Sequence, residues 1–251
     1  MRAMTRMLTR SLFCLLTAVS VCSGVARAEA PVPQPFVATF DVSYRGIHAG
    51  SLVFKFFRDP ASGHYIYETR ANPTMLARLV VSRAALERSV MEIDENGMRP
   101  LQWRLDGGKS GTADDGSLDF DWSRNTATGV VEGKPVNLTL EPGLQDRLSI
   151  QIAVVTMLMR GIDPGVIPLI DDERVKRYRY EKKQPAVIDS KLGKLDTIVY
   201  ESSREGSNRM TRFWLTPKME FVPARAEQVR KGKVETVMTL VALERRDEVM
   251  E

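Results

Sequence analysis

The sequence predicts a mainly β protein, an antiparallel curved sheet or partly open barrel of about a dozen strands with one buried helix. Short runs in which apolar and polar residues alternate recur along the chain, and turn-forming residues separate them. One segment near 146–160 shows helical spacing instead. Both cysteines, Cys14 and Cys22, precede the strand-like region, so its stability must come from a hydrophobic core and not from disulfides.

Residues 1–28 have the three-part layout of a secretory signal peptide. Three arginines precede an uncharged apolar stretch over 11–25, and Ala26-Arg27-Ala28 supplies small residues at the two positions that a signal peptidase reads. The alternative is a retained membrane anchor, but a stretch of about 15 residues is shorter than the roughly 20 that span a bilayer. We therefore expect cleavage after Ala28, a periplasmic location and no stable membrane span.

The positive charge of the chain belongs to this leader. Its four arginines and its lack of acidic residues account for the excess of 36 Lys and Arg over 32 Asp and Glu. The remaining chain is neutral overall, which argues against a nucleic-acid partner, because such binding depends on clustered positive charge. It also contains no thiol, which excludes a cysteine nucleophile and a thiolate metal site. We expect no cofactor.

Strand patterns begin directly after a proline-rich segment. Residues 29–35 contain three alternating prolines and predict a flexible lead-in. In 36–44 the even positions are apolar and most odd positions are polar, which is the period of a half-buried strand. Comparable runs continue without a linker or a repeat, and they predict a single β-rich domain over 36–245 with a C-terminal tail over 246–251.

Turn signals separate the predicted strands. Asn96-Gly97 is the strongest of them, because both residues tolerate positive φ and two apolar runs flank them. The other predicted turns combine glycine or proline with charged and polar residues: Asp59–Gly63, Glu132–Pro135, Lys191–Lys194, Glu205–Asn208 and Lys231–Lys233. Turns at these places are typical of antiparallel hairpins.

Two segments depart from strand periodicity. In the longer one Asp146 is placed to cap a helix, apolar residues follow at helical spacing, and Gly161 and Pro164 end it. Apolar residues also occupy its other side, so we expect this helix to be largely buried against the sheet. A shorter helix of one or two turns is predicted over 73–82.

The candidate catalytic groups are few. Asp119 and Asp121 alternate in a predicted strand and would point to one face, where a carboxylate pair could bind calcium or divide acid and base roles. A solvent-facing strand edge is the favoured interpretation. The two histidines, His48 and His64, lie near predicted turns and are favoured as loop residues. We therefore assign no catalytic, cofactor-binding or metal-binding residue.

The most basic run covers 174–183, where charged residues occupy both faces of a predicted strand. Docking to lipid headgroups or to an anionic glycan is one interpretation of this run. An exposed edge strand, whose charges discourage pairing with other chains, is the favoured one.

Aromatic side chains on the strands are the candidate residues for an apolar ligand. Phe54 and Phe56 share one strand face, Trp103 belongs to another apolar strand face, and Trp214 adds a large group to a later strand. Filling the core is the favoured interpretation for all four. Alternatively, the concave face of an incompletely closed sheet would leave some of them open to an apolar ligand.

Six short motifs are distributed over nearly all of the chain that follows the leader: Tyr44–Gly50, Ser117–Trp122, Val131–Val136, Gln145–Gln151, Leu192–Thr197, and Trp214-Leu215 before Pro217. In order and spacing they resemble the bacterial family known as domain of unknown function 3108. The resemblance implies an exported β-rich protein without an established activity, and it implies no catalytic residues. A weaker similarity, at the level of fold alone, is to periplasmic lipoprotein carriers, whose curved sheet wraps helices around an acyl-binding cavity.

These features favour an exported, periplasmic, non-enzymatic protein whose curved sheet binds an apolar or lipidic ligand or assists cell-envelope biogenesis. Two alternatives stay open. One is a carboxylate-based hydrolase that acts on envelope polymers through residues such as Asp119 and Asp121, and the other is a structural partner of an envelope complex. The expected partner is an apolar small molecule or a lipid, and the sequence identifies no protein partner.

Overall fold

The computed structural model describes residues 30–75, 85–107 and 115–245. These residues form one curved sheet of 14 strands, one α-helix and one short 3-10 turn. The strands are β1 (Phe36–Tyr44), β2 (Ile47–Arg58), β3 (Tyr65–Pro73), β4 (Leu86–Asp94), β5 (Gly97–Asp106), β6 (Gly116–Asp121), β7 (Thr126–Val131), β8 (Lys134–Thr139), β9 (Val166–Asp171), β10 (Arg174–Ser190), β11 (Gly193–Arg204), β12 (Arg209–Thr216), β13 (Val222–Arg230) and β14 (Lys233–Arg245). The helix α1 is Ser149–Met159, and the 3-10 turn is Pro217–Met219.

The sheet consists of two antiparallel meanders that meet at one seam. β1 to β8 follow each other as neighbours, β9 to β14 do the same, and β14 pairs with β1. β8 and β9 are therefore the two ends of the sheet, and no ladder joins them within the described ranges. The Lys134 ammonium at the start of β8 forms an ion pair of 3.0 Å with Glu173, which follows β9. The two ends approach each other, but the sheet stays unclosed.

The prediction of a mainly β fold built from antiparallel hairpins is confirmed, with 14 strands in place of about a dozen. The Asn96-Gly97 hairpin joins β4 to β5, where Asp94 is the partner of Gly97. Asp94 Oδ1 accepts hydrogen bonds from the backbone N–H of Asn96 (2.7 Å) and of Gly97 (3.1 Å). The tight turn therefore comprises Glu95 and Asn96, one residue earlier than the sequence pattern suggests.

The predicted buried helix is present as α1. Asp146 caps it as expected, because its Oδ1 accepts hydrogen bonds from the backbone N–H of Leu148 (2.8 Å) and of Ser149 (2.7 Å). No helix in the described parts of the chain is long and apolar enough to cross a membrane. Of the predicted short helix, Pro73 belongs to β3, and most of the rest lies outside the described residues. The predicted signal peptide and C-terminal tail also lie outside them.

The basic run 174–183 belongs to β10 and has a paired strand on both sides only at Tyr178 and Arg179. Residues 174–177 pair with β9 alone and 180–183 pair with β11 alone, so the exposed-edge prediction is wrong only at those two residues. Outward charges of the run have partners on other segments, and the Arg177 guanidinium donates two hydrogen bonds of 2.9 Å to the Glu141 carboxylate. The two tyrosines of the run face the concave side of the sheet instead.

Helix α1 lies on the concave side of the sheet and buries two of its faces. Ile152 and Ala153 pack into a cluster that includes residues of β1 to β8. Ile150 and Val154 pack on the other side against β9 to β12. Full burial of an aliphatic side chain of this size stabilises a fold by about 1.5–3 kcal/mol. The helix is thus anchored between the two meanders, and it occupies only part of the space inside the curve.

Candidate functional site

The concave side of the sheet borders a half-open cavity of about 490 Å³ that α1 does not fill. Strands of both meanders and the first turn of α1 contribute to its walls. Most of the lining is apolar or aromatic and includes Phe36, Phe40, Leu52, Phe54, Tyr67, Leu148, Ile150, Leu169, Phe213, Val222, Ala226 and Met238. The other lining residues are mainly polar, and their distribution along the strands is uneven.

One wall of the cavity is aromatic. Strands β1 to β3 bring together Phe36, Phe40, Phe54 and Tyr67. The Phe54 ring stacks on Tyr67 with centroids 5.7 Å apart, and it meets Phe40 edge-on at 5.4 Å. Aromatic pairs of this kind stabilise by about 0.5–1.5 kcal/mol beyond the burial of their surface. This wall is therefore a rigid apolar surface.

The wall formed by β11 to β14 changes from apolar to polar to cationic toward one end of its strands. Its apolar row, in which strand register pairs neighbouring residues, contains Phe213, Ala226 and Met238. The next row, about 7 Å further along the strands, contains Ser202, Thr211, Gln228 and Thr236. The third row contains Arg209 and Arg230. The side chains on this face of the sheet thus form a polarity gradient.

The cationic end of this gradient borders a second recess of about 430 Å³, which we call the mouth. The mouth shares Asp171, Tyr178 and the polar row with the cavity, so the two spaces adjoin. Arg204, Arg209 and Arg230 line the mouth near the β11–β12 and β13–β14 turns. The combined space is amphipathic, with aromatic and aliphatic groups at one end, hydroxyl and amide groups in the middle, and guanidinium groups at the mouth.

A charged network lies where the cavity meets the mouth. The Tyr178 hydroxyl (3.0 Å) and the Lys176 ammonium (2.9 Å) both donate to Asp171 Oδ2. Arg147 Nε lies 3.7 Å from Asp171 Oδ1. Burial and the neighbouring Asp171 charge raise the pKa of Tyr178 to about 12, so its phenol remains a hydrogen-bond donor at neutral pH. Two hydrogen bonds and one ion pair thereby hold the Asp171 carboxylate in one position.

Two buried carboxyls support the wall between α1 and β4. Trp103 Nε1 donates a hydrogen bond of 2.7 Å to Glu87 Oε1, and Glu87 lines the cavity. Burial raises the pKa of Glu87, and the hydrogen bond from Trp103 partly offsets this effect. Burial also raises the pKa of Asp146, although the Ser89 hydroxyl and two backbone N–H groups donate to its carboxylate. These contacts fix Trp103 and the start of α1 beside the cavity.

The four residues predicted to contact an apolar ligand do not lie together. Phe54 lines the cavity. Phe56 and Trp103 are each 1% exposed and belong to the adjoining core. Trp214 lies on the opposite face of β12 from the cavity, where two guanidinium groups each lie 5.7 Å from its ring centroid. The structure therefore brings one of the four to the cavity wall and places the others behind it or outside it.

The carboxylate candidates point away from the cavity. Asp119 Oδ1 accepts a hydrogen bond of 2.6 Å from Arg104 on the adjacent strand. Asp121 Oδ1 accepts from the backbone N–H of Ser123 (3.0 Å) and of Arg124 (2.9 Å), in the turn after β6. Both carboxylates thus have local structural partners. Within the described ranges, no three His, Cys, Asp or Glu residues are grouped to hold a metal ion.

A separate recess of about 510 Å³ lies at the C-terminal end of α1. The β4–β5 turn, the segment 142–145 and the last turn of the helix contribute to it. Its rim carries Asp94 and Arg160, and the Arg160 guanidinium donates to the Asp94 carbonyl oxygen (2.7 Å). This recess has no graded lining comparable to that of the cavity and the mouth, so we take the latter as the candidate site.

The sequence pattern did not predict the arginines of the mouth as site residues. Arg204 and Arg209 flank one predicted turn, and Arg230 directly precedes another. An arginine beside a turn is typical of a solvated strand end, so none of the three was singled out. The available signal was that tight turns bring the ends of successive strands together.

Comparison with known proteins gives a family and a fold. Residues 39–239 match the family model described as a protein of unknown function, DUF3108. No curated protein matches the sequence. The chain is similar to a solved β-barrel-like protein of domain of unknown function DUF1849 from Brucella abortus, with 12% identity and a TM-score of 0.53 over 86% of this chain and 99% of that one. A protein with a YmcC-like fold from Bacteroides fragilis NCTC 9343 is 9% identical over 86% of this chain and 99% of that chain, with a TM-score of 0.33.

Proposed function

The chain belongs to the DUF3108 family of proteins of unknown function, and we propose that it is an exported, non-enzymatic protein that holds an apolar or lipidic ligand inside its curved sheet. The observation that carries the proposal is the cavity of about 490 Å³ and its mainly aromatic and aliphatic lining. Export, and with it a periplasmic location, is supported by the signal-peptide layout of residues 1–28.

The size of the cavity favours an occupant. Small-molecule sites typically enclose about 300–1,000 Å³ and are lined mainly by apolar groups with a few polar ones. The cavity of about 490 Å³ falls within this range, and an apolar occupant would give its lining side chains additional contacts.

The polar groups at the cavity suit binding and orientation. Asp171 is held by Lys176 and Tyr178, and Glu87 accepts the indole N–H of Trp103. A general acid or base needs a proton that can move to a substrate. Carboxylates whose positions are fixed by structural donors are better placed to shape a binding site. This favours a carrier or receptor over a hydrolase.

Lipid extraction tests the proposal directly. The protein is purified from its native host, and the organic extract is analysed by mass spectrometry, with a stoichiometric apolar species as the expected result. Ala226→Trp places an indole in the apolar row, between Phe213 and Met238, and should abolish co-purification of that species. Val237→Trp is the matched control, since Val237 lies beside Met238 on the other face of β14.

Two results would contradict the proposal. One is a wild-type protein from which no apolar species is extracted. The other is an Ala226→Trp protein that unfolds as cooperatively as the wild type and yet carries the same species in the same amount.

A further inference from the structure

Strand pairing assembles the arginines of the mouth into a cluster. Arg209 on β12 and Arg230 on β13 are direct partners, and Arg230 is also the partner of Lys233 on β14. Arg204 ends β11 on the other side of the turn that precedes Arg209. Like charges directly opposite each other destabilise antiparallel strands. A cluster of this composition is therefore unfavourable unless negative charge compensates it.

The acidic residues of the mouth are engaged elsewhere. Glu235 forms an ion pair of 2.7 Å with Arg45, and Asp171 forms one of 2.9 Å with Lys176. Arg209 and Arg230 lower the pKa of Glu235 only as lesser contributors beside Arg45. Among the residues that the structure describes, no carboxylate forms an ion pair with Arg204, Arg209 or Arg230. Glu235 therefore compensates this cluster only in part within the described fold.

Arg204 adds an unsatisfied donor to this cluster. Its Nε is buried and has no hydrogen-bond partner, although the residue lines the mouth. A buried donor without a partner is costly, because it has lost its hydrogen bonds to water. The planar guanidinium group binds carboxylate and phosphate oxygens through parallel N–H donors. An oxyanion in the mouth would neutralise the cluster and accept hydrogen bonds from the guanidinium groups that line it.

We infer that the ligand is an amphiphile whose headgroup is an oxyanion, a carboxylate or a phosphate, held by Arg204, Arg209 and Arg230 while its tail occupies the apolar cavity. This inference rests on the proposed function and adds the chemical class of the ligand. The polar row between the arginines and Phe213 suits the atoms that join a headgroup to its tail. The nine residues of β13 span about 30 Å, so one strand extends from the cationic end at Arg230 to the apolar end at Val222.

Matched probes test the headgroup. Delipidated protein is titrated calorimetrically with dodecyl phosphate, dodecanoate and the uncharged monododecanoyl glycerol, each below its micelle concentration, and with inorganic phosphate. We expect at least one anionic amphiphile to bind about tenfold or more tightly than the uncharged one, the effect of a charge-assisted hydrogen bond. Arg204→Gln, Arg209→Gln and Arg230→Gln should each reduce this advantage, because each lowers the affinity for the anionic probe more than the affinity for the uncharged one.

Arg179→Gln is the matched control. Arg179 is exposed on the neighbouring strand β10, and its side chain lies on the face opposite Tyr178. The substitution removes the same charge from the protein without touching the mouth. It should leave the affinity of every probe at the wild-type value, and an equal loss in this variant would mean that net charge alone attracts the anions.

The possible outcomes separate the inference from the proposed function. Equal binding of charged and uncharged amphiphiles, unaffected by the arginine substitutions, overturns the inference and leaves the proposed function intact. Failure of every amphiphile to bind contradicts both. If inorganic phosphate binds as tightly as dodecyl phosphate, the alkyl tail contributes nothing to the affinity. The inference of an amphiphilic ligand is then wrong, and the mouth is a site for a simple anion. Tighter binding of dodecanoate supports a carboxylate headgroup, and tighter binding of dodecyl phosphate supports a phosphate one.

Discussion

Replacing Arg230 with glutamine should stabilise the ligand-free protein. Arg230 is the direct cross-strand partner of Arg209 on one side and of Lys233 on the other, and all three are exposed. Two unit charges about 5 Å apart repel by about 0.8 kcal/mol in water. Long side chains can swing apart, so each pair should cost about 0.2–1 kcal/mol and the two together about 0.4–2 kcal/mol.

Thermal unfolding of the delipidated protein measures this gain. In a domain of 150–250 residues, 1 kcal/mol shifts the Tm by about 2–4 °C, so Arg230→Gln should melt about 1–8 °C above the wild type at low ionic strength. The difference should shrink in high salt, because the Debye length falls from about 10 Å at 0.1 M to about 3 Å at 1 M. Arg179→Gln is the control, since Ser203 and Val166 are its cross-strand partners.

An Arg230→Gln protein that melts at or below the wild-type temperature in low salt refutes this reasoning. So does a gain that is undiminished in 1 M salt, because packing rather than charge would then explain it. A saturating anionic amphiphile should reverse the order of stability. Ligand binding stabilises by RT ln(1 + [L]/Kd), which is larger for the tighter-binding wild type.

Three further predictions concern the buried wall between α1 and the sheet. Glu87→Gln should raise the free energy of unfolding at neutral pH, because burial raises the pKa of Glu87 and the folded state therefore disfavours its ionised form. The wild type recovers this stability as the pH falls toward the unfolded-state pKa of about 4.3, so urea unfolding from pH 7 to 4 should show the two proteins converging, and a constant difference contradicts the pKa shift. Gly116→Ala should lower the free energy of unfolding by about 1–3 kcal/mol, because the added Cβ would lie 2.7 Å from the Trp103 ring. Urea unfolding measures this loss, and an unchanged midpoint would show that the indole can shift at no cost. Asp146→Ala should cost about 0.5–2 kcal/mol through loss of the cap on Leu148 and Ser149, whereas Asp146→Asn keeps an acceptor and should cost less in the same assay.

Local patterns were sufficient to predict the elements of the fold. The period-two alternation over Phe36–Tyr44 became β1, and Asn96-Gly97 became the β4–β5 turn. The cap at Asp146 followed from its place before an apolar helical run. Each of these signals arises from backbone geometry over a few residues, so the neighbouring sequence contains all the information that is needed.

The seam that joins the two meanders could not be predicted in the same way. The pairing of β1 with β14 joins residues such as Ser43 and Val237, which lie far apart in the chain. Long-range register depends on the hydrophobic pattern of all the intervening strands together. The seam between the meanders, and therefore the cavity that the two meanders enclose, has no local signature.

The inward face of β12 was ambiguous for a related reason. The run Arg212-Phe213-Trp214-Leu215 has large apolar residues on both faces, so alternation does not distinguish inside from outside. In the structure Phe213 lines the cavity and Trp214 points outward, where the Arg212 and Arg225 guanidinium groups cover its ring. Cation–π contacts of this kind let a large aromatic side chain remain partly exposed. Size alone was therefore a poor guide to which aromatic residue lines the cavity.

The net charge of the chain does not reveal the local cluster of arginines at the mouth. The chain without its leader is neutral, and neutrality argues correctly against a long-range attraction to polyanions. A single headgroup, however, responds to the few charges within a Debye length of it. Strand pairing places Arg209 beside Arg230 at the mouth, next to the polar row that leads to the apolar cavity. The same placement destabilises the ligand-free sheet. One anionic amphiphile would offset this repulsion through its headgroup while its tail covers the apolar lining of the cavity, and this is the physical reason to search for ligand and headgroup together.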